Sequence, residues 1–288
     1  MKIIDAHMHY SKIEALRLGA LDAGVDYSAA GLLKEYNENN VVACVCMGLT
    51  ETASGLTPDK LSLNPMLANL DDSPLPMGVN LGINPYKVDA EAIKRIEDLI
   101  KSGKQPGNKR ISGFKIYAGY FHVFVNDDVY KPIYKIASEN NLAVAIHGGE
   151  TYFEGGLVEY SHPLQVDRLA HDFRDMKIII CHVGFPWVME ACEMATKNRN
   201  VYVDISGLAV GGEIECERMK NEPLIRDYFR QGFVFLNNYE KVIFGTDWPL
   251  VAIGPYIDAC KAMIPQESWE DVFYNNAVRV YGVEPHRF

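Results

Sequence analysis

The stretch Lys2-Ile3-Ile4-Asp5-Ala6-His7-Met8-His9 begins apolar and β-branched and ends polar. Successive side chains of a strand point to opposite faces, so a strand here aims His7 and His9 at one point. Two neutral imidazoles converging on a point suit a divalent transition metal such as zinc. Two unremarkable loop histidines are the plainer alternative. The same alternation puts Asp5 on the histidine side, within reach of a hydrogen bond to a ligand.

Seven further runs of the same character follow, at 41–47, 77–82, 113–116, 143–146, 177–181, 201–205 and 242–245. Each is short, β-branched and bounded by Gly, Asn, Pro or Asp, the pattern of parallel strands buried on both faces. Between them lie amphipathic stretches with helical spacing, at 89–101, 128–140, 164–173, 187–197, 222–229 and 268–281. Eight strands alternating with helices over roughly 250 residues predict an α/β fold, a (β/α)8 TIM barrel, with 1–288 as a single domain. A doubly wound open sheet is the runner-up. It favours a Gly-x-Gly-x-x-Gly turn after the first strand, where this chain carries histidines. The longest irregular stretch, 48–76, is expected to hold a short helix and to overhang the barrel mouth.

A net charge of -10 without any Lys- or Arg-rich run argues against nucleic-acid binding. No apolar run approaches the ~18 residues of a membrane span. The N-terminus lacks the charged and apolar segments of a secretory leader. The expectation is a cytoplasmic protein that acts on a small molecule, away from membranes. Cys44 and Cys46, two apart in a strand, could share a metal, but small buried core thiols are the commoner role. No finger-type spacing occurs among the six cysteines, and reduced thiols are the simplest account.

The chemistry-bearing residues collect at one end of the strands. His7 and His9 end the first, Lys115 the fourth, His147 the fifth, His182 the sixth and Asp247 the eighth. Barrel enzymes build their sites at that carboxyl-terminal rim. Titratable groups on five strands, all at one rim, point to an enzyme.

Further carriers are Asp5-Ala6-His7-Met8-His9, Gly113-Phe114-Lys115, Ile146-His147-Gly148 and Cys181-His182-Val183-Gly184-Phe185-Pro186-Trp187. To these are added Val203-Asp204-Ile205-Ser206-Gly207, Phe244-Gly245-Thr246-Asp247-Trp248-Pro249 and Asn276-Ala277. On these motifs the chain resembles the amidohydrolase superfamily, in the amidohydrolase-related branch that includes aminocarboxymuconate-semialdehyde decarboxylase and γ-resorcylate decarboxylase. The resemblance implies His7, His9, His147 and Asp247 as ligands of one divalent ion, Zn2+ or alternatively Mn2+. It gives Asp247 a second role in proton transfer, and has His182 act on substrate or water rather than ligate the metal. Three imidazoles and one carboxylate suit zinc with an open position for water. Metal binding lowers the pKa of that water from about 15.7 to about 7.

Lys115 is either a carboxylated lysine bridging two ions, as in binuclear members, or a cation that anchors a substrate carboxylate or joins an ion pair at the mouth. Asp204 is a candidate for orienting its neighbours or for a structural part. Glu150, Tyr117, Trp187 and Trp248 are candidate substrate-binding residues, with Tyr120, His122 and Tyr152 as further pocket walls. His162, His171 and His286 are expected to be ordinary surface groups. The predicted activity is metal-dependent hydrolysis of a small ester, lactone or amide. The alternative is metal-dependent non-oxidative decarboxylation of an unsaturated or aromatic acid, a carbon–carbon lyase. A metal-free lactonase and a non-catalytic binding barrel are weaker alternatives. The resemblance leaves a homodimer as one option for assembly.

Overall fold

In the computed structural model, which describes residues 1–55, 57–68, 77–105 and 109–283, eight parallel strands stand side by side in chain order. They are β1 (Ile3–Met8), β2 (Val41–Met47), β3 (Met77–Ile83) and β4 (Lys109–Ile116). β5 (Ala143–Ile146), β6 (Lys177–Ile180), β7 (Val201–Asp204) and β8 (Val242–Ile243) complete the set. A two-residue strand, Lys104–Gln105, adds an antiparallel partner to β4 that the sequence pattern did not announce. The described part of 48–76 holds turns and no helix. His286 lies outside the described residues, as do 69–76.

The sheet closes on itself. Ala6 N–H donates to Phe244 O, Thr246 and Asp247 N–H both donate to His7 O, and His9 N–H donates to Trp248 O, at 2.6–3.1 Å. These bonds join the first strand to the chain just beyond the last, so the TIM barrel holds and the open doubly wound sheet does not. Helices lie between successive strands, except between β2 and β3, where the described residues hold turns. Those at Ala90–Ser102, Lys131–Glu139, Gln165–Asp172 and Val188–Lys197 match their expected positions closely. Pro223–Leu236 runs about two turns beyond its expected end. Four helices had no clear periodic signal, at Glu14–Ala23, Ala29–Glu38, Glu213–Asn221 and Ile253–Met263. The first exposes Leu18 and Leu21, which blurs its apolar stripe, and the last carries Gly254-Pro255 in its first turn, a dipeptide that reads as a turn.

Alternate side chains divide the strands into two faces. Ile4, Ala6, Ala43, Val45, Ala145 and Ile179 fill the barrel interior. Ala277, Val280, Tyr281 and Val283 join that cluster from the C-terminal segment and plug one end. Ile3, Val144 and Ile178 face the helices, and so do Cys44 and Cys46, which are core residues rather than a metal pair. All six cysteines are buried and none is in a disulfide.

One irregularity decides where the first histidine points. Asp5 pairs with Cys44 and Met8 with Cys46, three steps along β1 against two along β2. The extra residue is a bulge that resets the alternation. His7 therefore joins Ile4 and Ala6 on the interior side, while Asp5 faces outward toward Tyr36. Asp5 for this reason reaches the candidate ligand His7 at its backbone amide (3.3 Å) and not its ring, and the Asp5 carboxylate also accepts from Tyr36 OH (2.9 Å), Thr246 N–H (2.9 Å) and Thr246 Oγ1–H (2.6 Å). Burial pushes this carboxyl up to about 7 against the pull of those bonds.

The seam leaves no room for a side chain at Gly245. A Cβ there would stand 2.6 Å from His7 Cβ and 2.9 Å from His7 N. Gly245→Ala is expected to destabilise the fold by about 1–3 kcal/mol, the usual cost of overpacking. Denaturant titration against the unaltered protein measures it, and an unchanged midpoint would contradict the closeness of this seam.

Candidate active site

β1 and the turn after β8 supply the first three groups. Asp247 adopts a left-handed backbone (φ 67) and its amide donates to His7 O at 2.8 Å. Its carboxylate thereby returns toward the strand that anchors its backbone. Asp247 Oδ1 lies 3.4 Å from His7 Nε2 and 3.3 Å from His9 Nε2. All three residues are buried, and the three donor atoms lie within 4.8 Å of one another. Asp247 Oδ1 and His9 Nδ1 have no hydrogen-bond partner. Zinc bonds of about 2.0–2.2 Å in tetrahedral array put neighbouring donors about 3.3–3.5 Å apart. The spacing, the burial and the orphaned carboxylate oxygen all fit a divalent ion.

Asp204, at the end of β7, organises what surrounds that trio. Its Oδ2 lies 2.9 Å from His7 Nδ1, and Ser206 Oγ is also 2.9 Å from that nitrogen. A carboxylate at Nδ1 keeps the proton there and leaves the Nε2 lone pair for a metal. Burial, and next the charge of Lys115, pull the His7 pKa down to about 4. The ring is neutral at pH 7, the state a metal requires. Asp204 Oδ1 accepts from the His182 amide (2.9 Å), the Ser206 amide (3.1 Å) and the Ser206 hydroxyl (2.5 Å). Burial opposes its ionisation, but the His7 partner holds its carboxyl well below the usual range. The orienting role of Asp204 is thus visible in its contacts. His7, Cys181 and Asp204 also approach within 4.8 Å. There, however, the His7 and Asp204 atoms bond to each other, and burial pushes the Cys181 thiol well up.

His182 and His147 form a separate pair. The turn after β6 holds His182 at φ 58 and Val183 at φ 40, an uncommon conformation for a β-branched residue. His182 Nδ1 lies 2.9 Å from Ser206 O, and His147 Nε2 lies 2.8 Å from Glu150 O. Each ring gives one N–H to a carbonyl, and the remaining nitrogens face each other at 3.1 Å. Burial, then the neighbouring His182, keeps His147 well below its ordinary pKa. His147 belongs to neither cluster of close ligand atoms. Three of the four expected ligands meet, and the fourth stands against His182.

An inner chamber of about 70 Å³ opens on these groups, lined by His9, Lys115, His147, His182 and Asp247 and walled by Tyr117, Tyr120 and Phe153. It continues into an outer chamber of about 270 Å³ that adds Glu150 and Phe185. Tyr117 lines the inner chamber, with its hydroxyl donating to Gly48 O at 2.7 Å. Glu150 is exposed at the outer rim, and its backbone carbonyl serves His147. Lys115 is buried beneath, with Nζ 3.4 Å from His7 Nε2 and 3.2 Å from Cys181 Sγ. That contact set replaces the expected ion pair at the mouth.

Two tryptophans are not where the sequence suggested. Trp248 is fully buried, stacked on Tyr10 and tilted against Tyr27, with Nε1–H donating to Glu35 at 3.3 Å. Trp187 packs on His162. His122 stacks on Tyr160, and His171 pairs with Asp172 at the surface. Sequence reading missed Leu16, Leu49, Phe153 and Leu250 as chamber walls. No single-residue signal marks them, because apolar loop residues look alike until the loops are folded together. The overhang of 48–76 is seen in its described part, where Leu49, Thr57 and Pro58 border the inner chamber.

No curated protein sequence matches the chain. Among solved structures, an uncharacterised TIM-barrel protein from Bordetella bronchiseptica is similar at 18% identity, with TM-score 0.69, 98% of this chain and 99% of that one covered. A 5-carboxyvanillate decarboxylase from Sphingomonas paucimobilis is similar at 16% identity and TM-score 0.64, covering 98% and 99%. A probable 2-pyrone-4,6-dicarboxylic acid hydrolase from Acinetobacter baumannii is similar at 14% identity and TM-score 0.60, covering 98% and 100%. At such identities the likeness establishes the fold alone. A family model described as Amidohydrolase matches residues 4–283, which is nearly the whole barrel, and the chain accordingly belongs to the amidohydrolase family.

Proposed function

We propose that the protein is a metal-dependent hydrolase of a small ester, lactone or amide. One observation carries this reading. Asp247 Oδ1 stands at tetrahedral donor spacing from both His7 Nε2 and His9 Nε2, and it has no hydrogen bond of its own. Zn2+ fits the donor set, with Mn2+ as the alternative. A bound divalent ion supplies Lewis-acid polarisation of a carbonyl and makes water acidic enough to ionise near neutral pH.

The chain's own residues divide the remaining work. Asp247 is ionised: burial opposes this, but the close His9 ring and the neighbouring histidines hold its carboxyl well below the usual range. It accepts the proton of the attacking water and returns it to the leaving oxygen or nitrogen. His182, fixed at its amide by Asp204 and at Nδ1 by Ser206 O, presents Nε2 to the chamber and orients water or substrate. Tyr117, Tyr120 and Phe153 form the walls against which a flat substrate lies. The inner chamber has room for about two waters, beside an outer chamber large enough for a small substrate. That arrangement of nucleophile and substrate supports hydrolysis.

The same aromatic walls favour a second reading, non-oxidative decarboxylation of an unsaturated or aromatic acid. There Asp247 delivers the proton to the carbon that loses carbon dioxide. The similar decarboxylase from Sphingomonas paucimobilis keeps this reading in view. Acid release from a panel of lactones and esters, set against carbon dioxide release from hydroxybenzoates, separates the two.

Prolonged dialysis against a chelator is expected to abolish turnover, and added Zn2+ or Mn2+ to restore it. Turnover that survives complete metal removal, checked by elemental analysis, contradicts the metal reading. His182→Asn is expected to lower kcat by about 10²–10⁴-fold, the usual contribution of a proton-handling side chain, while metal content stays at the unaltered level. Loss of the metal in this variant would show that His182 is a ligand.

A further inference from the structure

The His7 ring touches three charged side chains. Asp204 Oδ2 lies 2.9 Å from Nδ1, Asp247 Oδ1 lies 3.4 Å from Nε2, and Lys115 Nζ lies 3.4 Å from the same Nε2. Lys115 is 1% exposed, and its other contacts are the Cys181 thiol, which is not an anion, and the face of Tyr117 at 5.5 Å. A buried ammonium with no carboxylate beside it is an unusual arrangement, because burial of charge is costly unless paired.

Two carboxylates and one ammonium give this group a net charge of −1. A divalent ion on His7 Nε2 turns it into +1. That ion cannot lie farther than about 5.5 Å from the ammonium, since a zinc–nitrogen bond is about 2.1 Å and Nζ is 3.4 Å from Nε2. At that range, away from water, two cations repel strongly. One monoanion shared between them restores neutrality and gives the ammonium its missing partner. Among the described residues Lys115 is the one lysine or arginine that lines either chamber. A second carboxylate on the substrate would find no cation there and would meet Glu150 at the outer rim.

We propose that Lys115 makes the metal centre anion-dependent: the ammonium and the ion oppose each other when alone, and together form the subsite for a single carboxylate of the substrate. The proposal rests on the metal reading given above and narrows its substrate class to small monocarboxylates. It also sets a reciprocal coupling. Whatever factor the carboxylate adds to metal affinity, the metal adds to carboxylate affinity.

The test measures Zn2+ binding to the metal-free full-length protein by competition with a chromophoric chelator at neutral pH, with and without benzoate. Benzoate is expected to tighten Zn2+ binding by the unaltered protein at least about tenfold. Lys115→Met is expected to bind Zn2+ at least about tenfold more tightly than the unaltered protein in the absence of benzoate, and to gain nothing from benzoate. Equal Zn2+ affinities with and without benzoate in the unaltered protein overturn the proposal. So does a carbamate resonance on Lys115 after loading in 13C-bicarbonate, because a carboxylated lysine is no cation. The benzoate comparison needs no variant, and Lys115→Gln replaces Lys115→Met where the latter does not fold. Zn2+ binding by both proteins with identical affinities removes the Lys115 proposal alone, whereas absence of Zn2+ binding in both removes the metal reading with it.

Discussion

The carbonyl oxygen of His7 accepts two hydrogen bonds, from the amides of Thr246 and Asp247, and the site depends on that junction. It joins the first strand to the chain beyond the last, so it closes the barrel and seats Asp247 in one step. The carboxylate of Asp5 reinforces the junction from the helix side by holding the Thr246 amide and hydroxyl. The left-handed backbone of Asp247 is tolerable because these bonds determine it from both sides. A residue near the far end of the sequence thus meets His7 and His9 through backbone bonds before any side chain is considered.

A second carboxylate, Asp204, orders the other half. One oxygen fixes the ring of His7, and the other gathers the amides of His182 and Ser206 together with the Ser206 hydroxyl. The ligand-bearing strand and the strained turn after β6 are therefore held by one buried anion. The contact with His7 holds the Asp204 carboxyl well below the usual range, and it opposes the fall in His7 basicity that burial and Lys115 cause. Such shared contacts make the group rigid, which a metal centre needs if its donors are to keep their spacing.

Much of this was legible in the sequence. The strands were readable because buried parallel strands leave β-branched runs between turn residues, and the carboxyl-terminal placement of His7, His9, Lys115, His147, His182 and Asp247 followed from their positions in those runs. What escaped had physical causes. A bulge is a matter of pairing between two strands, so the outward turn of Asp5 could not be seen in β1 alone. Trp248 looked like a rim residue beside Asp247, but the tight turn sends it into an aromatic cluster with Tyr10 and Tyr27. His147 sits at the expected strand end, yet its ring is held by the Glu150 carbonyl and by His182, and neither contact is encoded in spacing. The helices at Glu14–Ala23 and Ile253–Met263 escaped because one shows apolar residues to solvent and the other opens on Gly254-Pro255, which reads as a turn.

The plug formed by Ala277, Val280, Tyr281 and Val283 has an effect on traffic. With apolar side chains packed through one end of the barrel, the chambers communicate with solvent at the opposite end. Tyr152 and Leu250 border both chambers. Substrate and product share that space, so a product that lingers competes with the next molecule in line.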